Sequence, residues 1–294
     1  MRIASFNINN INKRLENLWA WLAKTKPDVA CLQELIAGQA AFPAEALRDV
    51  GYEAVWSGER SWNGVAILAR DRVPVLVRSS LPGDPKDFQA RYIEAAVNGI
   101  LITSLYLPNG NPQPGPKFDY KLAWFERLIA HTAELLTEGV PVVLAGDYNV
   151  VPTAQDIYPT RSLDNNALIQ PASRQAFARL LAQGWTDALR KLQPEGRLWR
   201  FWDYKRGRWP LDKGMRLALT AGCVVKKTRA IMLRYGSCSI CDLSVTIRLL
   251  RDQCELAQVV IIERTLSVGG LIQSECSGDF DFERTGVDKA VDLV

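Results

Sequence analysis

Short apolar segments recur along the first half of the chain, and most have the length and alternation of β-strands. From Ile3 to Asn9 the positions alternate, so Asn7 is expected to point to the opposite face from Phe6. Asn98-Gly99 is a favoured two-residue turn between two apolar runs and predicts a hairpin. The predicted strands span 3–9, 29–32, 63–69, 91–97, 100–106 and 141–146.

Apolar residues at helical spacing predict three helices among these strands. The first runs from Leu15 to Leu22 and has to end before Pro27, because proline clashes with a continuing helix. The third runs over 174–182 and is closed by Gly184. The second carries an apolar stripe formed by Phe118, Leu122, Phe125, Ile129, Thr132 and Leu136. Strands and helices that mix within one region predict an α/β fold, with a pair of sheets flanked by helices.

The composition changes near residue 215. All nine tryptophans lie at or before Trp209, and all fifteen prolines lie at or before Pro210, whereas five of the six cysteines follow. We therefore divide the chain into residues 1–216, which carry the predicted fold, and an atypical tail over 217–294. In the tail, Cys238-Ser-Ile-Cys241 has the spacing of half a zinc site, but no second pair follows, so structural zinc is not expected.

The charge and the apolar runs narrow the possible environment and partners. No apolar run approaches the roughly 18 residues that a membrane span needs, and the N-terminus lacks the long apolar segment of a signal peptide. We therefore expect a cytoplasmic protein with reduced thiols and no membrane partner. The net charge of +4 is mild, but nine basic and three acidic residues lie between Arg190 and Arg216, a local +6 that indicates a polyanionic partner.

Acidic and amide side chains stand where predicted strands end. Asp147 and Asn149 follow the strand at 141–146, and Glu34 follows the strand at 29–32. Two acids at two strand ends suit a divalent cation for phosphate chemistry, because Mg²⁺ prefers oxygen ligands and keeps several waters. Asp147 is placed to transfer protons, and Tyr106, at another strand end, to donate to a developing phosphorane oxygen.

Each of these residues also has a structural interpretation. Gly-Asp-x-Asn is a common turn sequence, and a lone tyrosine such as Tyr106 is more often a half-buried aromatic with a wet hydroxyl. The functional interpretation therefore depends on the order and spacing of the whole set.

The ordered set resembles the exonuclease III family, within the endonuclease/exonuclease/phosphatase superfamily, over residues 1–216. The matching strings are Ile3–Asn7, Asp28–Glu34, Trp62–Ile67, Arg91–Ala95, Tyr106–Gly110, Lys117–Lys121 with Trp124, Gly146–Asn149, Gly184–Arg190 and Phe201–Tyr204. The resemblance implies a four-layer α/β sandwich, two β-sheets flanked by helices. It implies cleavage of phosphodiesters in duplex DNA at 3′ ends and abasic sites, with Mg²⁺, or Mn²⁺ as an alternative. We expect the enzyme to be a monomer.

The resemblance also assigns roles to particular residues. Glu34 is the expected metal ligand with Asn7 beside it, and Asp147 and Asn149 are expected to contact metal or phosphate. Asp147 also handles protons and, with Tyr106 and Asn149, forms the expected catalytic set. The expected substrate-binding residues are Arg91, Arg200, Trp202, Lys205, Arg206 and Trp209. Cations can neutralise phosphates and aromatic rings can stack in a duplex gap, whereas the structural alternative is a solvated loop with its tryptophans packed on the core.

One part of the family pattern is missing. Gly214-Met-Arg-Leu-Ala218 places Ala218 where the family has an aspartate, and no Asp-His pair occurs anywhere. The single histidine, His131, is expected on the solvent face of its helix. We hypothesise a reading-frame shift after Arg216, which would leave the sandwich incomplete at its C-terminal end and a sheet edge open. Alternatives to an active DNA nuclease are a phosphodiesterase for a small or lipid phosphate, a non-catalytic DNA-binding remnant, and a frame-shifted product.

Overall fold

The computed structural model describes residues 1–160, 163–199, 201, 208, 210–217 and, for the backbone, 222–226. These residues form two β-sheets and the helices that cover them. The first sheet has the order β1-β2-β4-β3, in which β1 and β2 are parallel and the other pairs are antiparallel. Its strands are β1 (Ile3–Asn7), β2 (Val29–Gln33), β3 (Tyr52–Ser57) and β4 (Val65–Arg70).

The second sheet has six strands in the order β5-β6-β7-β8-β10-β9. Its strands are β5 (Val75–Arg78), β6 (Tyr92–Val97), β7 (Ile100–Tyr106), β8 (Val142–Asp147), β9 (Trp185–Asp187) and β10 (Gly222–Lys226). Only β7 and β8 pair in parallel, and the helix between them makes the long crossover that parallel strands need. The helices are α1 (Leu15–Thr25), α2 (Ala44–Arg48), α3 (Pro116–Thr137), α4 (Pro171–Ala182) and α5 (Ala188–Leu192).

The buried apolar side chains form layers that confirm the four-layer sandwich. In β2, Val29 and Cys31 face the second sheet, while Ala30 and Leu32 face the side covered by α1. A strand covered on both faces is apolar at every position, which explains the continuous apolar run. On the far side of the second sheet, α3 and α4 pack over β7 and β8.

A short polar chain crosses the interface between the two sheets. Gln33 in β2 donates from Nε2 to Ser104 Oγ in β7 at 3.1 Å, and Ser104 donates to the backbone carbonyl of Leu32 at 3.0 Å. Ser5 in β1 donates to Gln33 Oε1 at 3.3 Å. All three side chains are fully buried, so these bonds fix how β7 is placed against β2.

The predicted strands and the hairpin are confirmed within a few residues. Asn98 and Gly99 have φ of 54° and 70°, the left-handed pair that a two-residue hairpin turn requires. The first helix ends at Thr25, ahead of Pro27, as expected.

The helix α3 buries Phe125 and Thr132 of the predicted apolar stripe, but the rest of the stripe does not coincide with its buried face. Its buried face carries Trp124, Phe125, Leu128 and Leu135, together with Lys121 and His131, whereas Phe118, Leu122, Ile129 and Leu136 are only partly buried. Lys121 and His131 can lie on the buried face because both have hydrogen-bonding partners inside the protein.

His131 corrects a second expectation, because it is buried and does not face solvent. Its Nε2 contacts Glu94 Oε1 on β6, and its Nδ1 lies 3.4 Å from Glu134 Oε2. A helical wheel could not show this, since Glu94 comes from a strand 37 positions earlier in the chain.

The tail supplies at least one strand, which corrects the expected open edge beside β8. Gly222–Lys226 pairs antiparallel with β8 on one side and with β9 on the other. The cysteine pair with zinc-like spacing, Cys238 and Cys241, lies outside the described residues.

A buried ion-pair network ties the loop after β8 to residue 216. Arg216 donates to both carboxylate oxygens of Asp156, at 2.8 and 3.0 Å, and to Asp187 Oδ2 at 2.8 Å. Arg190 also pairs with Asp156. Burial acts to raise the pKa of Asp156, but the bonds and charge of Arg216 outweigh it, so the pKa lies below its usual value. Arg190 and Arg216, two of the nine basic residues counted between positions 190 and 216, are therefore neutralised by acids inside the protein.

We predict that Asp156→Asn destabilises the protein by about 3 kcal/mol at pH 7, because it leaves Arg216 buried with one partner fewer. The depressed pKa means that the stabilisation is present above about pH 4 and is lost as the pH falls further. Urea unfolding at pH 7 and pH 3 should therefore show a difference that narrows in acid. Asp164→Asn, a change at an exposed position, should leave the free energy of unfolding unchanged at both pH values. A difference between Asp156→Asn and the unaltered protein that stays constant from pH 7 to pH 3 would contradict the role given to the Asp156 carboxylate.

Candidate active site

The ends of both sheets meet at one point and bring the predicted acids together. Glu34 follows β2 directly, while Tyr106 and Asp147 are partners in register at the ends of β7 and β8. The Tyr106 hydroxyl donates to Glu34 Oε1 at 2.6 Å, and Asn7 Nδ2 donates to the same oxygen at 2.8 Å. A tyrosine of the second sheet and an asparagine of the first thus hold one carboxylate oxygen.

Glu34 is held in a backbone conformation that glutamate rarely adopts. Its φ is 55°, in the left-handed region, which costs a non-glycine residue roughly 1–2 kcal/mol. The carbonyl of Glu34 accepts from the Asn10 N–H at 2.9 Å, and the next turn is fixed by the Ile36 N–H bonding to the Asn63 carbonyl at 2.9 Å. Backbone contacts from two other segments therefore maintain the strain that turns the carboxylate toward Tyr106.

Gly146 is required by the close approach of β7. Its φ is 147°, and a Cβ at this position would lie 2.0 Å from the backbone carbonyl oxygen of Leu105. No other residue fits between the strands here. The glycine before Asp147 is therefore a packing requirement of the parallel β7–β8 pair.

The turn after β8 is fixed by hydrogen bonds on every side. The Asn149 N–H donates to Asp147 Oδ1 at 2.9 Å, and Asn149 Nδ2 donates to the Leu107 carbonyl at 2.9 Å. The side chain of Asn109 donates to Asn149 Oδ1 at 3.1 Å. Asn149 has φ of 48°, which asparagine tolerates better than most residues.

Lys121 is a site residue that was not singled out from the sequence. It is fully buried, and its Nζ donates to the carbonyl oxygens of Asn149 at 2.6 Å and of Asn109 at 3.1 Å. Burial lowers the pKa of Lys121 to about 7, against the opposing charge of Asp147. The available signal was its spacing, since Lys121 lies three and four residues before Trp124 and Phe125 on the buried face of α3.

Asp147 has the electrostatics of a residue that exchanges protons near neutral pH. Burial raises its pKa to about 7; the Asn149 N–H opposes this and the charge of Glu34 adds to it. Burial, followed by the charges of Glu34 and Asp147, raises the pKa of Tyr106 well above 10, so its hydroxyl stays a donor. A carboxyl that titrates near 7 beside a permanent donor is suited to general acid–base chemistry.

The donor set fits a magnesium ion that is completed by substrate. Glu34 and Asp147 lie close enough for the charge of one to raise the pKa of the other, and a cation between them would relieve that repulsion. The described part of the chain contains no cluster of three or more His, Cys, Asp or Glu residues able to enclose a metal. One or two carboxylates with open positions for phosphate and water is the usual arrangement for Mg²⁺.

A basic cleft of about 640 Å³ adjoins this site. It begins where the chain leaves the site, at Asn9 and Ile36, and carries three cations and the exposed ring of Trp62. The residues that line it are Asn9, Asn10, Lys13, Arg14, Ile36, Arg60, Ser61 and Trp62. Lys13 and Arg14 are adjacent in the chain, but Arg60 comes from a segment that meets them only in the fold, so the sequence alone did not indicate the cleft.

Of the expected substrate-binding residues, Arg91 alone lies within the described part of the chain. Arg91 supports Tyr106: its Nη1 donates to the Tyr106 carbonyl at 3.2 Å, and its guanidinium lies 5.0 Å from the centre of the Tyr106 ring. Arg200, Trp202, Lys205, Arg206 and Trp209 lie outside the described residues. Nearby, Trp199 and Arg208 are buried, and the Arg208 guanidinium lies over the Tyr158 ring. These two residues pack on the core, as the structural alternative expects.

The fold and the site together define a class, the four-layer α/β hydrolases of phosphodiesters that carry acids at the ends of both sheets. The chain belongs to the Endonuclease/Exonuclease/phosphatase family, whose profile matches residues 4–281. The match confirms the resemblance found in residues 1–216 and extends into the tail.

Known relatives cover most of the chain. DNA repair nuclease APEX1 of Danio rerio is 28% identical over 82% of this chain and 81% of its own length. Exodeoxyribonuclease III of Haemophilus influenzae is 30% identical over 74% of this chain and 85% of its own. Among solved structures, a 3′ phosphatase (NExo) from Neisseria bound to a product DNA hairpin is similar, with a TM-score of 0.80 and 33% identity. That match covers 90% of this chain and 100% of the other.

A helix that crosses a bilayer needs about 20 consecutive, mostly apolar residues. Within the described ranges, no helix is both long enough and apolar enough to cross a membrane.

We predict that the pKa of Asp147 moves in opposite directions when its two charged neighbours are neutralised. Glu34→Gln removes a negative charge and should lower this pKa, whereas Lys121→Met removes a positive charge and should raise it. Carbon-13 NMR of labelled aspartate carboxyls, recorded with a chelator present, measures the values. The unaltered protein should titrate near 7 at this residue, and an unchanged pKa in both variants would show that the charges are not coupled.

Proposed function

We propose that this protein is a magnesium-dependent DNA nuclease that cleaves phosphodiester bonds at abasic sites and from 3′ ends. The observation that carries the proposal is the Tyr106–Glu34 hydrogen bond, which joins the ends of the two sheets with Asp147 beside it. Membership of a phosphodiester hydrolase family and relatives named as DNA repair nuclease and exodeoxyribonuclease support it.

Each residue of the site has a role that its geometry supports. Glu34, with Asn7 beside it and Asp147 across the site, would hold Mg²⁺, with Mn²⁺ as an alternative. When bound, the ion supplies positive charge at the scissile phosphate. Asp147, whose pKa is raised by burial in the metal-free protein, takes the proton of the attacking water or returns one to the leaving oxygen. Tyr106 donates its single hydroxyl hydrogen to Glu34 in the free protein and would redirect it to the phosphorane oxygen when a metal ion occupies Glu34. Asn149 orients phosphate or metal.

We propose that the missing Asp-His pair lowers the rate of phosphodiester cleavage and leaves the type of reaction unchanged. The sequence has no His next to an Asp, and its one histidine lies in the core beside Glu94. General acid–base groups contribute about 10²–10⁴ in rate. We propose that catalysis here rests on Glu34 and Asp147 and is correspondingly slow. This observation also favours a second candidate, a DNA-binding protein that has lost catalysis.

The basic cleft is the proposed path of the DNA strand. Lys13, Arg14 and Arg60 can neutralise successive phosphates, and the exposed indole of Trp62 can stack on an unpaired base. Arg91 acts through Tyr106. The segment before Arg216 is proposed to contact the duplex through Arg200, Trp202, Lys205, Arg206 and Trp209.

We further propose a monomer that works in the cytoplasm, with residues 1–216 carrying catalysis and 217–294 forming the atypical tail. Cys31, buried between the sheets, forms no disulfide within the described residues, which is compatible with a reducing environment.

The activity is tested with a duplex that carries a single abasic site, with and without Mg²⁺. We expect magnesium-dependent nicking that falls by about 10²–10⁴ in Asp147→Asn and that loses its response to Mg²⁺ in Glu34→Gln. Glu45→Gln, at an exposed carboxylate on α2, should cleave at the rate of the unaltered chain.

Three outcomes would redirect the proposal. Tight binding to the duplex without nicking would identify the non-catalytic protein. Faster hydrolysis of bis(4-nitrophenyl) phosphate than of DNA would identify a phosphodiesterase for small substrates. Nicking that survives in both Asp147→Asn and Glu34→Gln would show that the catalytic site lies elsewhere.

The proposed DNA path makes a separate prediction about salt. Lys13→Ala and Arg60→Ala should each reduce the slope of log affinity against log salt by about 1, because each removes one phosphate contact. Fluorescence anisotropy with a labelled duplex and chelator measures it without cleavage. Lys24→Ala, at an exposed position near the end of α1, serves as the control, and equal slopes in all four proteins would exclude this cleft as the DNA path.

A further inference from the structure

A second cavity, of about 380 Å³, lies on the α3 side of the second sheet. It is formed by β5, β6, the start of β7 and the C-terminal half of α3. The strand β7 separates it from the active site: Leu101 lines the cavity and Tyr106 the site, roughly 17 Å apart at 3.4 Å per residue. The cavity is therefore distinct from the proposed catalytic centre.

One end of this cavity contains buried polar groups. Glu94 and His131 are 1% and 3% exposed. Three groups approach Oε1 of Glu94: the Tyr92 hydroxyl at 2.8 Å, Arg78 Nε at 3.5 Å, and His131 Nε2. Glu94 also lines the cavity, so its carboxylate faces the space that a ligand would fill.

The other end of the cavity is apolar. Val77 on β5, Leu101 on β7 and Leu135 on α3 contribute its walls. A cavity of a few hundred Å³ with apolar walls and a few converging polar groups has the usual form of a small-molecule site. An acid buried at its end is costly to maintain for stability alone, because an apolar replacement of similar volume is often neutral or stabilising.

The charge of the lining selects the kind of ligand. Three glutamates, Glu94, Glu134 and Glu138, face the cavity against one arginine, Arg78. This acidic surface lies on a chain whose net charge is +4, so it disfavours phosphate and nucleic acid. A cation is therefore the complementary ligand, and the apolar walls of the cavity favour an organic cation over a hydrated metal ion.

We propose that this cavity binds a small primary amine with an apolar chain of several carbons. Its ammonium group bonds to Glu94 and approaches the exposed carboxylate of Glu134, as a charged donor does to carboxylates. Its alkyl chain packs on Val77, Leu101 and Leu135. The site is separate from the proposed nuclease activity and does not depend on it.

The test is calorimetric titration of the full chain with hexylamine, hexanol and hexanoate. Hexylamine should bind saturably and at least about tenfold more tightly than hexanol, and hexanoate should not bind. Glu134→Gln, a change at a side chain that is 75% exposed, should weaken hexylamine severalfold and leave hexanol unchanged. Ala96→Leu, which places a larger side chain into the cavity, should abolish both.

The matched control is Glu126→Gln, which neutralises an exposed carboxylate on the same helix that pairs with Arg179 outside the cavity. It should leave hexylamine binding unchanged. Equal affinity for hexylamine and hexanol, or an equal loss in Glu126→Gln and Glu134→Gln, would overturn the proposal. Circular dichroism confirms the fold of each variant, and Glu134→Gln keeps the test decisive if Ala96→Leu does not fold.

Discussion

The placement of one β-sheet against the other is the constraint on which the site depends. Glu34 belongs to the first sheet and Asp147 to the second, so neither sheet forms the site alone. The buried bond from Gln33 to Ser104 sets the contact between β2 and β7 one residue before Glu34 and two before Tyr106. A shift of one residue between the two sheets would move Tyr106 by about 3.4 Å and break its hydrogen bond to Glu34. The polar pair therefore specifies an interface that apolar packing alone would leave free to slide.

The site also concentrates features that stability alone would not select. Glu34 has a positive φ, and Gly146 lies against a backbone carbonyl. Lys121 and Asp147 are both buried. Lys121 offsets part of this cost, because its ammonium group supplies donors to two carbonyls that would otherwise lack them. The strain is held in place by the rigid sheets on either side, which is how functional sites usually maintain it.

Local patterns in the sequence predicted the strands, the hairpin and the residues that the fold brings together at the candidate site, whereas features that depend on partners far along the chain were missed. Alternation located the strands, Asn98-Gly99 located the hairpin, and apolar runs that end at Asp147 and Glu34 located the candidate site. The buried face of α3 was only partly predicted, because His131 was expected on the solvent face and Lys121 was not recognised as a buried residue. Their partners, Asn149 and Glu94, are 28 and 37 positions away. The basic cleft was missed for the same reason, since Lys13 and Arg60 come from separate segments.

Helix α3 connects these observations, because one buried face serves two polar clusters. Lys121 supports the turn after β8, and His131, ten residues further on, closes the acidic cavity roughly 15 Å away at 1.5 Å per residue. Trp124, Phe125 and Leu128 fill the space between them. At that separation two unit charges interact by no more than about 1 kcal/mol at an effective dielectric constant of about 20. The hydrogen bonds within each cluster therefore depend largely on its own neighbours, and the apolar residues of α3 keep the two clusters apart.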